Sequence, residues 1–270
     1  MTVGVSGLSL YVPPHRVSLE RWCDWTGSNW DKVQAVVGRS FRVKGPGHSL
    51  YTMAASAVLQ LIEKYDVDPR DVGMLVLGTE SSTDNAAGAV VVRGMVDEGL
   101  EAKGMPRLAR DIEVPEVKHA CLGGIYGVKQ SLRYLSVDGK GRKAIVVSGD
   151  IAEYERGSTG EPTQGAGAVA MLLEENPKLL AIDLTRAASA SSYRGPDFRK
   201  PFGRFLEQSY TQGVDRVHDF PVFNGKYSTA CYLDEVLSAL DSMFTKAGDV
   251  DRVAYHRSVD RVFFHRPYRR

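Results

Sequence analysis

The 270 residues include 34 Lys and Arg against 33 Asp and Glu. The formal net charge of +1 gives no general reason to expect a nucleic acid or a membrane surface as partner. No apolar run approaches the roughly 18 residues of a membrane span, and the N-terminus does not resemble a secretion signal, so a cytoplasmic protein is expected. The three cysteines form no CxxC pair, which argues against a zinc site and a disulfide framework.

The first part of the sequence predicts alternating strands and helices. VGVSGLSLYV predicts a strand, SLERWCDWTG and DKVQAVVG predict short helices, and LYTMAASAVLQLIEKY predicts a longer helix with one apolar face. VGMLVLGTE, RDIEVPEVKHA and RKAIVVSGD predict strands that are separated by the helical patterns AAGAVVVRGMVDEGL and LGGIYGVKQSLRYL. This βαβαβ order predicts an α/β protein with a parallel sheet and helices packed on it.

The second part predicts a hairpin, an irregular segment and one long helix. GAGAVAMLLEE and KLLAIDLTRA are expected to form an antiparallel hairpin across an Asn-Pro turn. A surface excursion and a helix with Ser228 as N-cap and Gly248 as stop are expected within residues 188–259. A new strand is expected to begin in residues 260–270, so residues 1–187 form the predicted first domain.

Two reactive side chains directly follow predicted strands. Glu80 follows MLVLGT, and Cys121 follows EVKHA and opens a helical pattern. In parallel sheets, ligands bind at the carboxyl ends of strands. A helix N-terminus stabilises a thiolate, and its N–H groups can hold an oxyanion. For Cys121, an inert buried cysteine is an alternative of equal weight. Glu80 is the weaker signal, because a Glu that caps a helix start is commonplace, although partial desolvation after an apolar run would raise its pKa toward that of a general base. Gly123 and Gly124 fit either substrate access or close helix packing.

Five segments resemble 3-hydroxy-3-methylglutaryl-coenzyme A (HMG-CoA) synthases of the thiolase superfamily, in the same order and at similar spacing. They are GTESSTDNAAGAVVVRG, EVKHACLGGIYGVK, VVSGDIAEYERGSTGEPTQGAGAVAMLL, FPVFNGKYSTACYLDEVLSALD and FFHRPY. The resemblance implies a thiolase-like layered fold whose N-terminal half is complete and whose C-terminal half has only begun.

The resemblance also implies a reaction and the residues that carry it. Cys121 would take acetyl from acetyl-CoA, and Glu80 would remove a proton from the acetyl methyl. His265 would polarise the ketone of acetoacetyl-CoA and protonate the new alkoxide. No metal and no cofactor beyond the coenzyme A thioester substrates is implied.

Six further positions match substrate-binding positions of the family. Two acidic residues would support the site, two residues would line the substrate, and two arginines would suit the phosphates of the coenzyme: Asp84, Asp150, Tyr154, Thr163, Arg269 and Arg270. The last two lie in a tail of arginines and aromatics that we interpret as facing the coenzyme, not a nucleic acid.

Three functions stay open at this point. The first is HMG-CoA synthesis, which would need a separate polypeptide for the missing half and a dimer of such pairs with residues 111–118 at the dimer contact. The second is a polyketide β-branching synthase that uses acyl carrier protein thioesters. The third is a noncatalytic module that binds CoA thioesters or a protein, and the presence of all three reactive residues argues against it. No nucleic acid or membrane partner is expected.

Overall fold

The structure, a computed structural model, describes residues 2–193, 198–199, 222–223, 225–248 and 250–265. The described chain forms two compact units. The first unit contains residues 2–152 and Pro162–Asp183, and the second contains Glu153–Glu161 and the described residues from Leu184 to 265. None of the helices in these residues has the length and hydrophobicity needed to cross a bilayer.

The elements follow one another along the chain much as the sequence predicts. The strands are β1 (Val3–Tyr11), β2 (Arg16–Ser18), β3 (Ser40–Arg42), β4 (Val72–Thr79), β5 (Glu116–Lys118), β6 (Lys143–Ala152), β7 (Gly165–Glu175), β8 (Leu180–Ala181), β9 (Phe198–Arg199) and β10 (Val222–Phe223). The helices are α1 (Leu19–Thr26), α2 (Trp30–Val36), α3 (Leu50–Lys64), α4 (Gly88–Ala102), α5 (Gly123–Ser136), α6 (Gly225–Ala247) and α7 (Arg252–Arg257).

The first unit is built on a mixed six-stranded sheet with the order β5-β4-β6-β7-β1-β8. Strands β5, β4 and β6 are parallel, and helices α4 and α5 connect them, which confirms the predicted βαβαβ unit. Strands β7 and β1 extend the sheet in antiparallel pairing. The predicted α/β class is therefore confirmed.

The predicted hairpin after residue 164 is wrong. Strand β1 lies between β7 and β8, because Val5 is opposite Leu173 on one side and opposite Leu180 on the other. After the turn at Asn176, the chain crosses to the far edge of β1. There the N–H groups of Leu179 and Ile182 donate to carbonyls of β1 at 3.0 Å. The free edge of β1 thus satisfies the backbone groups that the hairpin would have paired.

The sheet of the first unit is covered by helices on both faces. Every residue of β4 is buried, which explains its continuous apolar sequence. One face packs against the apolar side of α3 and α4, and its core includes Met53, Val58, Leu61, Val92, Val96, Leu75, Leu77, Ile145 and Val147. On the other face, α5 approaches so closely that a Cβ on Gly127 would lie 3.0 Å from Val76 and Val146. The strand ends that carry the candidate site therefore belong to a well-covered layer.

A small subdomain of β2, β3, α1 and α2 has its own core. Leu19, Trp22, Cys23 and Phe41 are buried in it. Cys23 therefore lies in an apolar environment.

The second unit differs from the prediction at two places. Helix α6 begins at Gly225, three residues before the expected N-cap Ser228, and ends before Gly248, whose φ of 77° makes it the expected stop. Residues 260–265 contain no strand, and no strand is described beside them. An isolated segment has no ladder of hydrogen bonds, so its apolar residues alone do not make it a strand. The remainder of the predicted strand, residues 266–270, lies outside the described residues.

Candidate active site

Glu80 and Cys121 follow neighbouring parallel strands of the first unit. Thr79, the last residue of β4, is paired with Lys118, the last residue of β5. Glu80 comes directly after this pair on one strand, and Cys121 comes three residues after it on the other. Because parallel strands end at the same edge of a sheet, the two segments meet at one place, where α/β proteins bind their ligands.

Cys121 lies in a short 3-10 turn, Ala120–Leu122, that leads into α5. The sequence predicted Cys121 at the start of the helix, whereas the helix begins two residues after it, at Gly123. Ala120 has a φ of 39°, in the left-handed region that residues other than glycine seldom adopt. The turn is closed by Leu122 N, which donates to His119 O at 2.9 Å. The chain thus bends sharply just before the thiol.

The three cysteines, all within the described residues, differ in exposure. Cys121 is exposed, Cys231 is half-buried and Cys23 is buried. Burial, with a smaller contribution from the charge of Asp24, raises the pKa of the Cys23 thiol. A raised pKa lowers the thiolate fraction and makes Cys23 a poor nucleophile. Of the two interpretations of Cys121, the exposed thiol does not fit the buried inert one.

The glycines beside Cys121 allow α5 to pack directly on the sheet. A Cβ on Gly123 would lie 2.7 Å from Val117 O, and one on Gly124 would overlap the Ser148 hydroxyl. A Cβ on Gly78 of β4 would lie 2.6 Å from the carbonyl carbon of Gly123. These contacts favour close packing as the reason for the glycines and not access for an acyl group.

Asp150 holds the backbone at Glu80. Its Oδ1 accepts hydrogen bonds from the Thr79 hydroxyl at 2.9 Å and from Glu80 N at 2.8 Å. It also accepts from Ser81, through the backbone N–H at 3.1 Å and the hydroxyl at 2.8 Å. Ile151 N donates to the same Ser81 hydroxyl at 2.9 Å. The end of β6 therefore fixes the turn that carries the predicted base, which gives Asp150 a positioning role at this site.

The environment of Asp150 opposes its ionisation. Burial is the largest cause that raises its pKa, and the nearby charge of Glu80 adds to it. The hydrogen bonds from Glu80 N and from the Ser81 and Thr79 hydroxyls act in the opposite direction, but the net pKa is above its ordinary value. One carboxylate oxygen of Glu80 is itself buried. Two carboxylates thus share a partly desolvated site.

Asp84 organises the loop between β4 and α4. Its Oδ1 accepts from Ala86 N at 2.8 Å and from Ala87 N at 2.6 Å. Both hydrogen bonds lower the pKa of the Asp84 carboxyl, and the bond from Ala86 has the larger effect. The Asp84 carbonyl accepts from Lys118 Nζ at 2.9 Å. Its predicted contact with substrate stays a prediction, whereas its function in shaping the loop follows from these bonds.

Sequence analysis missed two side chains that contact this loop. The hydroxyl of Tyr51, from the first turn of α3, forms hydrogen bonds to residues 82–84. Glu116 Oε2 accepts from Ala89 N at 3.2 Å, near the start of α4. Tyr51 gives no signal of this contact in the sequence, because it shares the apolar face of its predicted helix with Ala54 and Val58 and its partners lie 31 to 33 residues away.

Of the remaining predicted residues that the structure describes, one belongs to the first unit and two belong to the second. Thr163 ends a 3-10 turn before β7 in the first unit. Tyr154 and His265 belong to the second unit, where His265 is exposed and its carbonyl accepts from Tyr232 OH at 2.9 Å. Arg269 and Arg270 lie outside the described residues. The functions of these residues stay predictions. Among the described residues, no group of three or more His, Cys, Asp or Glu could hold a metal ion.

Comparison with known families decides the affiliation. Residues 1–178 match the family model described as the N terminal part of hydroxymethylglutaryl-coenzyme A synthase. That match covers about two thirds of the 270 residues. The chain belongs to the HMG-CoA synthase family.

Curated HMG-CoA synthases resemble the chain over nearly all of its length. The enzyme from Enterococcus faecalis is 29% identical over 261 residues, which cover 95% of this chain and 61% of that protein. Hydroxymethylglutaryl-CoA synthase A from Dictyostelium discoideum is 30% identical over 273 residues, which cover 98% of this chain and 51% of that protein. The chain therefore spans about half to three fifths of the length of these HMG-CoA synthases.

Solved structures agree with this assignment. MvaS in complex with 3-hydroxy-3-methylglutaryl coenzyme A is 33% identical, with a TM-score of 0.79 over 96% of this chain and 56% of that chain. The HMG synthase of the curacin biosynthetic pathway, in complex with an acetyl donor-ACP, has a TM-score of 0.72 at 21% identity over 93% of this chain. At that identity it supports the fold alone. The described fold is the N-terminal part of an HMG-CoA synthase.

Proposed function

We propose that this chain carries the nucleophile and the general base of an HMG-CoA synthase reaction, in which acetyl-CoA condenses with acetoacetyl-CoA. The observation that carries the proposal is the pairing of Thr79 with Lys118, which puts Glu80 and the exposed Cys121 after neighbouring strand ends. Membership in the family makes this pair of residue types chemically specific, because the reaction needs both a thiol and a separate carboxylate.

The first half-reaction uses Cys121. Its thiolate attacks the thioester carbonyl of acetyl-CoA, the carbon–sulfur bond to the coenzyme breaks, and the coenzyme leaves as a thiolate that takes up a proton. The product is an acetyl thioester on Cys121. The N–H groups at the start of α5 are suited to stabilise the oxyanion of this step.

The second half-reaction uses Glu80 and His265. Glu80 takes a proton from the acetyl methyl, and the resulting carbanion attacks the ketone carbon of acetoacetyl-CoA. His265 donates a proton to the new alkoxide, and water then cleaves the thioester to Cys121, which releases HMG-CoA and the free thiol. Contacts of Tyr154 and Thr163 with substrate, and of Arg269 and Arg270 with the coenzyme phosphates, belong to the same proposal.

We further propose that activity needs a second polypeptide that supplies the rest of the family's length. The start of α5 and the residue before it support this, because Leu122, Ile125 and Tyr126 are exposed by 46%, 63% and 39% next to the nucleophile. An apolar surface of this kind is typical of a face that another segment covers. Two such pairs would form a dimer through residues 111–118, beside the edge strand β5.

The nucleophile is tested by acetyl transfer. We expect that incubation with acetyl-CoA, together with the second polypeptide, adds one acetyl mass to Cys121, as measured by intact-protein and peptide mass spectrometry. Cys121→Ser should abolish the modification, and Cys231→Ser, the matched control, should not. Acetyl on Cys23 or Cys231, or no acetyl in the complete assembly, would overturn the proposal. Faster transfer from an acetylated acyl carrier protein than from acetyl-CoA would instead assign the carrier-protein substrate.

The partner is tested by light scattering on protein purified with and without candidate second chains. We expect an assembly with two copies of each chain. A stable 29.6 kDa monomer that acetylates and condenses without a partner would contradict this part of the proposal.

A further inference from the structure

The hydroxyl of Tyr51 forms several hydrogen bonds with the loop that follows β4. Thr83 N and Asp84 N donate to the phenol oxygen at 3.0 and 2.9 Å. The Ser82 hydroxyl lies 2.9 Å from the same oxygen. Tyr51 itself lies in the first turn of α3, whose start is held by a capping box between Ser49 and Thr52.

The direction of each bond follows from counting protons. A phenol has one proton to donate and two acceptor positions, and the two backbone N–H groups fill the acceptor positions. Ser82 Oγ donates its own proton to Asp84 O at 3.1 Å. The Tyr51 proton then has two hydroxyl oxygens within reach, Ser82 Oγ at 2.9 Å and Thr83 Oγ1 at 3.4 Å, and Ser82 Oγ is the nearer. Ser82 is buried, whereas Thr83 and Asp84, whose N–H groups donate to Tyr51, are exposed.

The loop of residues 80–87 is held at three places. At its start, Asp150 binds the backbone of Glu80 and Ser81. In its middle, Tyr51 binds Thr83 and Asp84, and at its far side Lys118 Nζ binds Asp84 O. Tyr51 connects the middle of the loop to α3. This helix packs on the face of the sheet opposite to the face that α5 covers.

We infer that Tyr51 is a positioning residue, whose hydroxyl holds the loop of residues 80–87 in the conformation that aims Glu80. The part of this inference that concerns Glu80 rests on the proposed function. Partial burial by itself raises the pKa of Tyr51, but the hydrogen bonds with Ser82, Thr83 and Asp84 outweigh it and lower the pKa below its ordinary value. Such an effect is expected where N–H groups point at the phenol oxygen.

The chain offers a matched control at the end of the same helix. Tyr65, the residue that directly follows α3, accepts from Leu8 N at 3.0 Å and donates to Leu8 O at 3.2 Å. Tyr51→Phe and Tyr65→Phe each remove one hydroxyl that is bonded to backbone groups. Only the first removes it from the loop beside Glu80, so a general loss of stability would affect both variants, whereas a loss of positioning would affect one.

The loop itself is tested by hydrogen exchange on the 270-residue chain. In Tyr51→Phe, the amides of Thr83 and Asp84 lose their acceptor, and we expect their exchange to accelerate by about tenfold or more, with β4 unchanged. Tyr65→Phe should leave exchange in residues 80–87 as it is in the unsubstituted chain. Equal exchange of these amides in all three proteins would overturn the inference.

The effect of Tyr51 on the position of Glu80 is tested in the complete assembly. Because Glu80 acts only after the acyl-enzyme has formed, Tyr51→Phe should acetylate Cys121 at the ordinary rate and condense about ten- to a hundredfold more slowly. Tyr65→Phe should do both at the ordinary rate. Undiminished condensation by Tyr51→Phe would overturn the inference even if exchange accelerates. Absence of acetylation in the unsubstituted assembly would instead refute the proposed function, and hydrogen exchange would still decide whether Tyr51 holds the loop.

Discussion

The two segments at the candidate site are held in place by different interactions. The loop after β4, which carries Glu80, is held by hydrogen bonds to the side chains of Asp150, Tyr51 and Lys118. The turn after β5, which carries Cys121, is held by the close approach of glycine backbones in α5 and β4. Hydrogen bonds depend on charge and protonation, whereas backbone packing depends on volume.

This difference predicts which kinds of substitution each segment tolerates. The Glu80 loop should respond to changes of polarity and pH even when the shape of a side chain is preserved. The Cys121 turn should respond to a single added methyl group even when no polar atom changes.

The largest effect is expected from removal of the base. Glu80→Ala should acetylate Cys121 normally but condense about 10² to 10⁴ times more slowly, because the base acts after acyl transfer. Separate assays of acetylation and of HMG-CoA formation in the complete assembly measure the two steps. Glu80→Gln, which preserves the shape, should behave in the same way. Unchanged condensation in either variant would exclude Glu80 as the base.

The next effect tests the packing of the Cys121 turn. Gly78→Ala would place a methyl group 2.6 Å from the carbonyl carbon of Gly123, and backbone atoms cannot rotate away. We expect it to lower the free energy of unfolding by about 3 kcal/mol or more in urea denaturation. Gly94→Ala, in α4, meets no atom within 4 Å and should instead be neutral or stabilising by up to about 1 kcal/mol. Similar stabilities of the two variants would mean that α5 can shift away from β4.

Asp150 provides a pH test of the Glu80 loop. Since its pKa is raised in the folded protein, the folded state binds the proton more tightly than the unfolded state. The associated stability is fully present below the unfolded pKa of about 3.9 and is lost as the pH rises through the folded pKa. Asp150→Asn keeps an acceptor oxygen but cannot ionise. Its unfolding free energy relative to the native sequence should therefore increase as the pH rises from about 4 toward neutrality.

The same position separates charge from hydrogen bonding. Asp150→Ala leaves the donors at Thr79, Glu80 and Ser81 without their acceptor, and we expect it to be about 1–3 kcal/mol less stable than Asp150→Asn. Denaturation curves at several pH values measure both effects. A constant difference between Asp150→Asn and the native sequence at every pH would contradict the raised pKa.

The smallest effect is expected at Lys118. Lys118→Met keeps the apolar stem and removes the bonds from Nζ to Asp84 O and Asn85 Oδ1. Because this lysine is exposed, the loss should be about 0.5 kcal/mol in the same denaturation assay. The exposed Lys140, replaced in the same way, serves as the control and should change nothing. A loss of several kcal/mol at Lys118 would mean that the loop depends more on β5 than on Tyr51 and Asp150.

The sequence by itself determined the order of the elements and the position of the two reactive residues. The continuous apolar run of β4 and the helical patterns on both sides of it are local signals, and a βαβαβ order leaves little choice about which strand ends meet. Glu80 and Cys121 could therefore be placed at one edge of a sheet. Gly248 was likewise recognisable as a helix stop, because left-handed backbone at a helix end favours glycine.

The tertiary structure alone decided how strands that are distant in sequence pair and what holds the site. The pairing of β8 with β1 instead of β7 depends on which sheet edge is free, and periodicity carries no information about edges. The contacts of Tyr51 with residues 82–84 and of Asp150 with residues 79–81 join positions 31 to 71 residues apart. Local sequence patterns reflect interactions over a few residues, whereas these hydrogen bonds form only after the layers have packed. A sequence can therefore suggest the reactive groups, but it does not reveal the side chains that position them.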